Sequence, residues 1–173
     1  MALIKSIRGI TPAMGNNCYQ AETAVIIGDV IAGDNCSFWF NTVFRGDVNA
    51  IRIGNNVNIQ DGAVLHCLYE RSVIEIGDNV TIGHNVVIHG ARIMNNVLIG
   101  MGAVVLDNAV IGENSIIAAG SVVLTDTVVE KGSVYAGVPA KRVKSVDPDQ
   151  TATMIERIAE DYIMYAGWYK PEE

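Results

Sequence analysis

Leucine is scarce in this chain of 173 residues: there are six, against 21 isoleucines and 22 valines. Helical cores lean on leucine, whereas a β-branched excess on this scale asks for strands. Charge is sparse too, at 18%, and positive charge is the scarcer sign, with 12 Lys and Arg against 19 Asp and Glu and a net charge of −7. A field of that sign disfavours nucleic acid and anionic membrane surfaces as partners. Half the residues are apolar, yet no run approaches the ~20 apolar residues of a membrane span. The opening residues hold no long apolar segment, so no secretory leader is expected. Cys18, Cys36 and Cys67 are the only cysteines. Their odd number and unpaired spacing argue against a disulfide framework and for a reducing, cytoplasmic setting. The length suits one domain with an appendage, and 17 glycines supply many tight turns.

What is abundant is a period. From Ile26 in steps of six come Ala32, Phe38 and Phe44; then Ile53, Ile59 and Leu65; then Ile76, Ile82 and Ile88. A last group follows at Ile93, Ile99, Val105, Ile111, Ile117, Val123, Val129 and Tyr135. Fourteen of these 17 steps are six residues, and 16 of the 18 positions are Ile, Val, Leu or Phe. Six fits neither a helix nor a hairpin meander. It fits short strands joined by regular corners, three to a coil, winding into a parallel β-helix. Eighteen positions make about six coils. The all-β solenoid is expected over residues 1–146, as a prism lined by the aliphatic positions. Three steps are irregular, and they mark loops or altered corners at 48–52, 67–74 and 90–92. Gly137-Val138-Pro139 ends the pattern, with the proline expected to stop strand pairing. Over 147–173 one amphipathic helix is expected, with Asp147 as N-cap and Pro148 in its first turn. Ala152, Ile155, Ile158, Ala159, Tyr162, Ile163 and Ala166 form the stripe that lies against the prism.

The three histidines of the chain, His66, His84 and His89, fall within 24 residues beside the irregular steps. His66 and His89 each follow an inward position and should face outward. His84 is 18 residues from His66, one regular coil, and coils stack at ~4.8 Å; all three are therefore expected in one small patch. Three imidazoles and one open position describe a catalytic zinc site, which lowers the pKa of a bound water towards ~7. Arg45 and Asp47 nearby suit charge-assisted pairs between subunits. Gln60 suits a hydrogen bond to a metal-bound water, with Asn58 orienting Gln60. Cys67, beside His66, reads as a small buried thiol rather than a ligand, and Cys36 as corner packing.

Phe44-Arg45-Gly46-Asp47, Asn58-Ile59-Gln60-Asp61-Gly62, His66, Gly83-His84-Asn85, Val87-Ile88-His89-Gly90 and Gly137-Val138-Pro139-Ala140-Lys141 together resemble the γ-class carbonic anhydrase family over roughly residues 10–170. The resemblance implies a left-handed coil, although parallel crossovers in general turn right-handed. It implies a homotrimer with zinc sites (iron or cobalt being possible metals) at subunit interfaces. The ligands would be His66 and His89 of one chain and His84 of its neighbour, where spacing alone leaves a single-chain site open. Arg45, Asp47 and Asp61 match interface and substrate-positioning residues. Gln60 and Asn58 match residues beside the metal-bound water, and Tyr162 matches a helix tyrosine that approaches the site. The implied activity is that of a lyase, the reversible hydration of carbon dioxide. Val48 and the short 67–74 segment, whose only acid is Glu70, depart from the founding type's acidic loop. They resemble a shorter branch in which some members hydrate carbon dioxide, some do not, and some cleave thioesters. An acyl-CoA thioesterase or acyltransferase, and a non-catalytic metal-binding trimeric scaffold, are the alternatives.

Overall fold

The computed structural model describes residues 1–169, with the side chains of Pro148 and Ala152 set aside. Ala152 of the expected helical stripe, and residues 170–173, thus lie outside the described residues. The chain is a parallel β-solenoid of about seven turns with one short C-terminal helix. The extra turn relative to the sequence count lies before Ile26: Leu3–Lys5 and Ala13–Met14 pair with Val25–Ala32, and Tyr19–Gln20 pairs with Ser37–Phe38. Those early strands lack the aliphatic hexad and so escape a count based on it.

The first face stacks Tyr19–Gln20, Ser37–Phe38, Asn58–Ile59, Thr81–Ile82, Leu98–Ile99, Ile116–Ile117 and Ser133–Ala136. The second stacks Val64–His66, Val87–His89, Val104–Val105 and Val122–Val123, and the third Ile74–Ile76, Arg92–Ile93, Val110–Ile111 and Val128–Val129. Each periodic position lies in register with its counterpart on the next coil, as in Leu65, Ile88, Val105 and Val123. All are buried, and Phe38 and Phe44 meet at a ring separation of 4.6 Å.

The irregular steps take different forms. At 48–52 there is no break: Val43–Ile53 is one long strand, and a bulge sets residues 47–50 against Asp29 alone. Such an insertion bends a strand without ending it. At 67–74 a true loop leaves the coil between Val64–His66 and Ile74–Ile76, whereas 90–91 is a corner one residue short. After Ser133–Ala136 the chain turns at Gly137–Ala140 and returns as Lys141–Ser145, antiparallel to it. The proline-bearing turn therefore reverses strand pairing instead of stopping it, because it lies between the strands and costs neither a ladder hydrogen bond.

One corner carries a second period that the aliphatic reading passes over. Asn17, Asn35, Asn56, Asn79, Asn96 and Asn114 all adopt positive φ of 55° to 58°, a region asparagine tolerates better than other side-chain-bearing residues. Each side-chain amide donates to the carbonyl oxygen of the next, at 2.7, 3.1, 2.9, 3.0 and 3.2 Å. This ladder fixes the register of successive coils from outside the core.

Asp147 caps the helix as expected, its Oδ1 accepting the Gln150 backbone N–H at 2.7 Å. The helix is not uniform: a π-helical stretch, Thr151–Glu156, separates Pro148–Gln150 from Arg157–Gly167. Ile155, Ala159 and Ala166 are buried, and Ile155 joins Leu98, Ile116 and Val134, the outward apolar residues of the first face. Among the described residues no helix is long and apolar enough to cross a membrane.

Candidate metal centre

His66 and His89 end neighbouring strands on the second face and stand in register. The 67–74 loop lengthens that coil to 23 residues, so the residue stacked on His66 is His89 and not His84. His66 Nδ1 and His89 Nε2 are 3.2 Å apart. His84 lies in the corner before Val87–His89, at the other end of that short strand, where its Nδ1 meets Asp61 Oδ2 at 2.9 Å. Within one chain the expected single patch is therefore two separate groups. Among the described residues no three His, Cys, Asp or Glu side chains of one chain gather closely enough to hold a metal.

Arg45 and Asp47 belong to the first group and pair with each other inside the chain, Asp47 Oδ2 accepting from Arg45 Nη2 at 2.9 Å and Nε at 3.2 Å. Asp47 Oδ1 lies 3.5 Å from His66 Nε2, and these two are the buried side-chain polar atoms without a hydrogen bond among the described residues. Burial pushes the Asp47 carboxyl up, but the hydrogen bond and charge of Arg45 outweigh it and hold the group below its ordinary value. Burial, then the Arg45 charge, lowers the His66 pKa, which favours the neutral ring. A neutral imidazole is the form that binds metal.

Two imidazole nitrogens of one chain stand at a spacing that a zinc ion would match. Two nitrogens on a tetrahedral zinc at ~2.0–2.1 Å stand about 3.3 Å apart, close to the His66–His89 separation. Asp47 Oδ1 and His66 Nε2, both without a hydrogen bond, stand 3.5 Å apart beside this pair.

Asp107 is the member that sequence reasoning missed. Its Oδ2 accepts the His89 Nδ1–H at 2.8 Å, and its Oδ1 accepts the Ser72 hydroxyl at 2.6 Å. Burial raises this carboxyl, but the bonds from Ser72 and His89 outweigh burial and keep it below the ordinary range. Its signal in the sequence was its position, one regular coil of 18 residues past His89.

In the second group Gln60 Nε2 donates to Asn58 Oδ1 at 3.0 Å, and Asn58 Nδ2 donates to Thr81 Oγ1 at 2.8 Å. Gln60, with Gly83, Met101, Met154 and Ile158, lines an apolar groove of about 430 Å³ between the first face and the helix. Tyr162 packs edge-on against Trp39 at 5.3 Å and shares a pocket of about 260 Å³ with Asp61. Burial, reinforced by the Asp61 charge, pushes its phenol up to about 12. Cys67 is fully buried and its thiol is pushed up to about 11, chiefly by burial; Cys36 is buried as well. Neither is poised as a thiolate ligand. Val48 packs against the core.

Residues 90–125 match the bacterial transferase hexapeptide (six repeats) family. Over 168 residues the chain is 45% identical to a carbonic anhydrase of Geobacillus kaustophilus, covering 97% of this chain and 91% of that one. Over 167 residues it is 38% identical to the mitochondrial gamma carbonic anhydrase 2 of Arabidopsis thaliana, covering 94% of this chain and 60% of the plant protein. The chain belongs to the γ-class carbonic anhydrase-like family. The same architecture recurs in a crystal structure of a hexapeptide transferase family protein from Anaplasma phagocytophilum, with a TM-score of 0.93, 37% identity and coverage of 97% and 98% of the two chains.

Proposed function

We propose that the protein is a zinc-dependent carbonic anhydrase that works as a cytoplasmic homotrimer, with iron or cobalt as alternative metals. The supporting observation is the placement of its imidazoles. His66 and His89 offer two nitrogens at zinc-like spacing, and His84 waits at the other end of the strand. A three-fold arrangement brings the second group of one chain against the first group of its neighbour, supplying the third nitrogen. When bound, zinc provides a Lewis acid and a water acidic enough to be a nucleophile at neutral pH.

The chain's own residues do the rest. With Nε2 engaged by Asn58, Gln60 presents Oε1 as an acceptor towards the substrate water. Arg45 holds Asp47 ionised and in place. Asp61 orients His84, and Asp47 and Asp61 position charged groups where two chains meet. Tyr162, kept protonated, offers a hydroxyl donor at the edge of the site.

A second reading, thioester cleavage or acyl transfer, is favoured by the apolar groove that Gln60 helps to line. A carbon dioxide hydration assay on zinc-loaded and metal-stripped protein, run beside acyl-CoA hydrolysis, separates the two. Zinc-dependent hydration is the expected result. Acyl-CoA turnover without hydration would shift the assignment to the groove, and neither activity in a fully metallated trimer would leave the scaffold role.

A further inference from the structure

The three interruptions of the six-residue period converge on one carboxylate. Asn49, in the bulge of Val43–Ile53, donates through Nδ2 to the backbone oxygen of Ser72 at 2.8 Å. Ser72, in the 67–74 loop, accepts the Leu68 backbone N–H at its hydroxyl, 2.9 Å away, and donates that hydroxyl to Asp107 Oδ1 at 2.6 Å. Gly90 forms the short corner: a Cβ there would collide with Ser72 Oγ and Asp107 Oδ1, and its φ of +63° suits glycine. Asp107 Oδ2 then accepts the Nδ1 proton of His89 at 2.8 Å. A regular coil would contain none of the first three features. Each is placed so that the carboxylate can stand behind His89.

We propose that Asp107, held by Ser72, is the positioning residue that fixes His89 as a metal ligand, and that the irregular coils exist to build this support. The proposal rests on the metal-binding reading above. The chemistry is direct. A proton kept on Nδ1 by an acceptor leaves the lone pair on Nε2, the nitrogen that faces His66 at 3.2 Å. The same bond stops the ring from rotating out of that line. Carboxylate support behind a ligating histidine sets tautomer, orientation and basicity together, and its loss costs about 10–100-fold in metal affinity or activity. Asp107 itself touches neither substrate nor metal in this scheme and acts through His89 alone.

The test uses the full chain, stripped of metal and titrated with zinc, together with ¹⁵N spectra of the histidine rings in the metal-free protein. Asp107→Ala should weaken zinc binding about 10–100-fold and let His89 populate the tautomer with the proton on Nε2. Asp107→Asn keeps a carbonyl oxygen to accept the Nδ1 proton and should recover part of both. Should Asp107→Ala fail to fold, Ser72→Ala keeps the carboxylate but frees it, and should weaken zinc binding in the same direction by a smaller factor. Unchanged zinc affinity and an unchanged His89 tautomer in folded Asp107→Ala would overturn the proposal. Wild-type protein that binds no zinc would instead overturn the metal reading; the tautomer comparison in metal-free protein would still decide the role of Asp107.

Discussion

Asp61 Oδ2 and His84 Nδ1 meet at 2.9 Å on one edge of the second face, while His66 and His89 meet on the other. On the proposed metal reading, a chain built this way would carry two incomplete ligand sets, to be completed by a neighbour. Completion by a neighbour has a simple readout. Mixing a His84→Ala chain with a His66→Ala/His89→Ala chain should restore zinc to mixed trimers at about one site in three, since a head-to-tail ring of two chains of one kind and one of the other holds one correctly ordered pair of neighbours. Each variant alone should hold almost none. Metal analysis of the separated hybrids checks this, and no recovery would point to ligands from a single chain.

Gln60 bonds to Asn58 and to none of the histidines, and the proposed trimeric site would bring it beside them. Gln60→Ala should leave zinc content unchanged and slow carbon dioxide hydration by about 10–100-fold. Asn58→Ala should act in the same direction, since it frees the Gln60 amide to turn. Turnover at a fixed metal load, compared with wild type, tests both.

The asparagine ladder predicts a stability effect. Asn79→Ala removes two amide hydrogen bonds and places a side chain with no local hydrogen bond at positive φ. The loss should be about 2–4 kcal/mol. Asn79→Gly relieves the backbone part and should cost less. Denaturant midpoints of the two variants separate the backbone and side-chain contributions.

Tyr162 gives the protein an alkaline limit. Its phenol is pushed up to about 12 by burial and by the Asp61 charge, so the folded chain holds this proton more tightly than the unfolded chain does. Stability from this residue is complete below the unfolded value near 10 and is lost as pH rises through about 12. Tyr162→Phe should flatten that part of the stability curve. Thermal melts of both proteins from neutral pH to the alkaline limit provide the check.

The periodic aliphatic positions made the prism legible in advance, because a buried side chain every six residues has few geometric solutions. Ile155 and Ala159 likewise marked the helix face. For the candidate site, the sequence offered residue types but not their layout. A count of 18 from His66 lands on His84, and only the conformation of the 67–74 loop, set by Ser72 and Asn49, puts His89 there instead. Asp107 was hidden for a related reason: it is a single acid in an ordinary turn, and its meaning comes from a hydroxyl 35 positions earlier. The bulge at 47–50 was also out of reach, since an inserted residue reads as a loop until its hydrogen bonds are known.

The ladder also sets how this molecule ages. Every rung donates in one direction, from Asn56 to Asn79 to Asn96. Spontaneous deamidation at Asn79 would turn a group with donors into one that only accepts. The bond received from Asn56 would survive. The one given to Asn96 would become two oxygens facing each other where donor and acceptor now stand 3.0 Å apart. Chemical wear at a single asparagine is thus felt on its C-terminal side, at the contact with the next coil, while the coil before it keeps its bond.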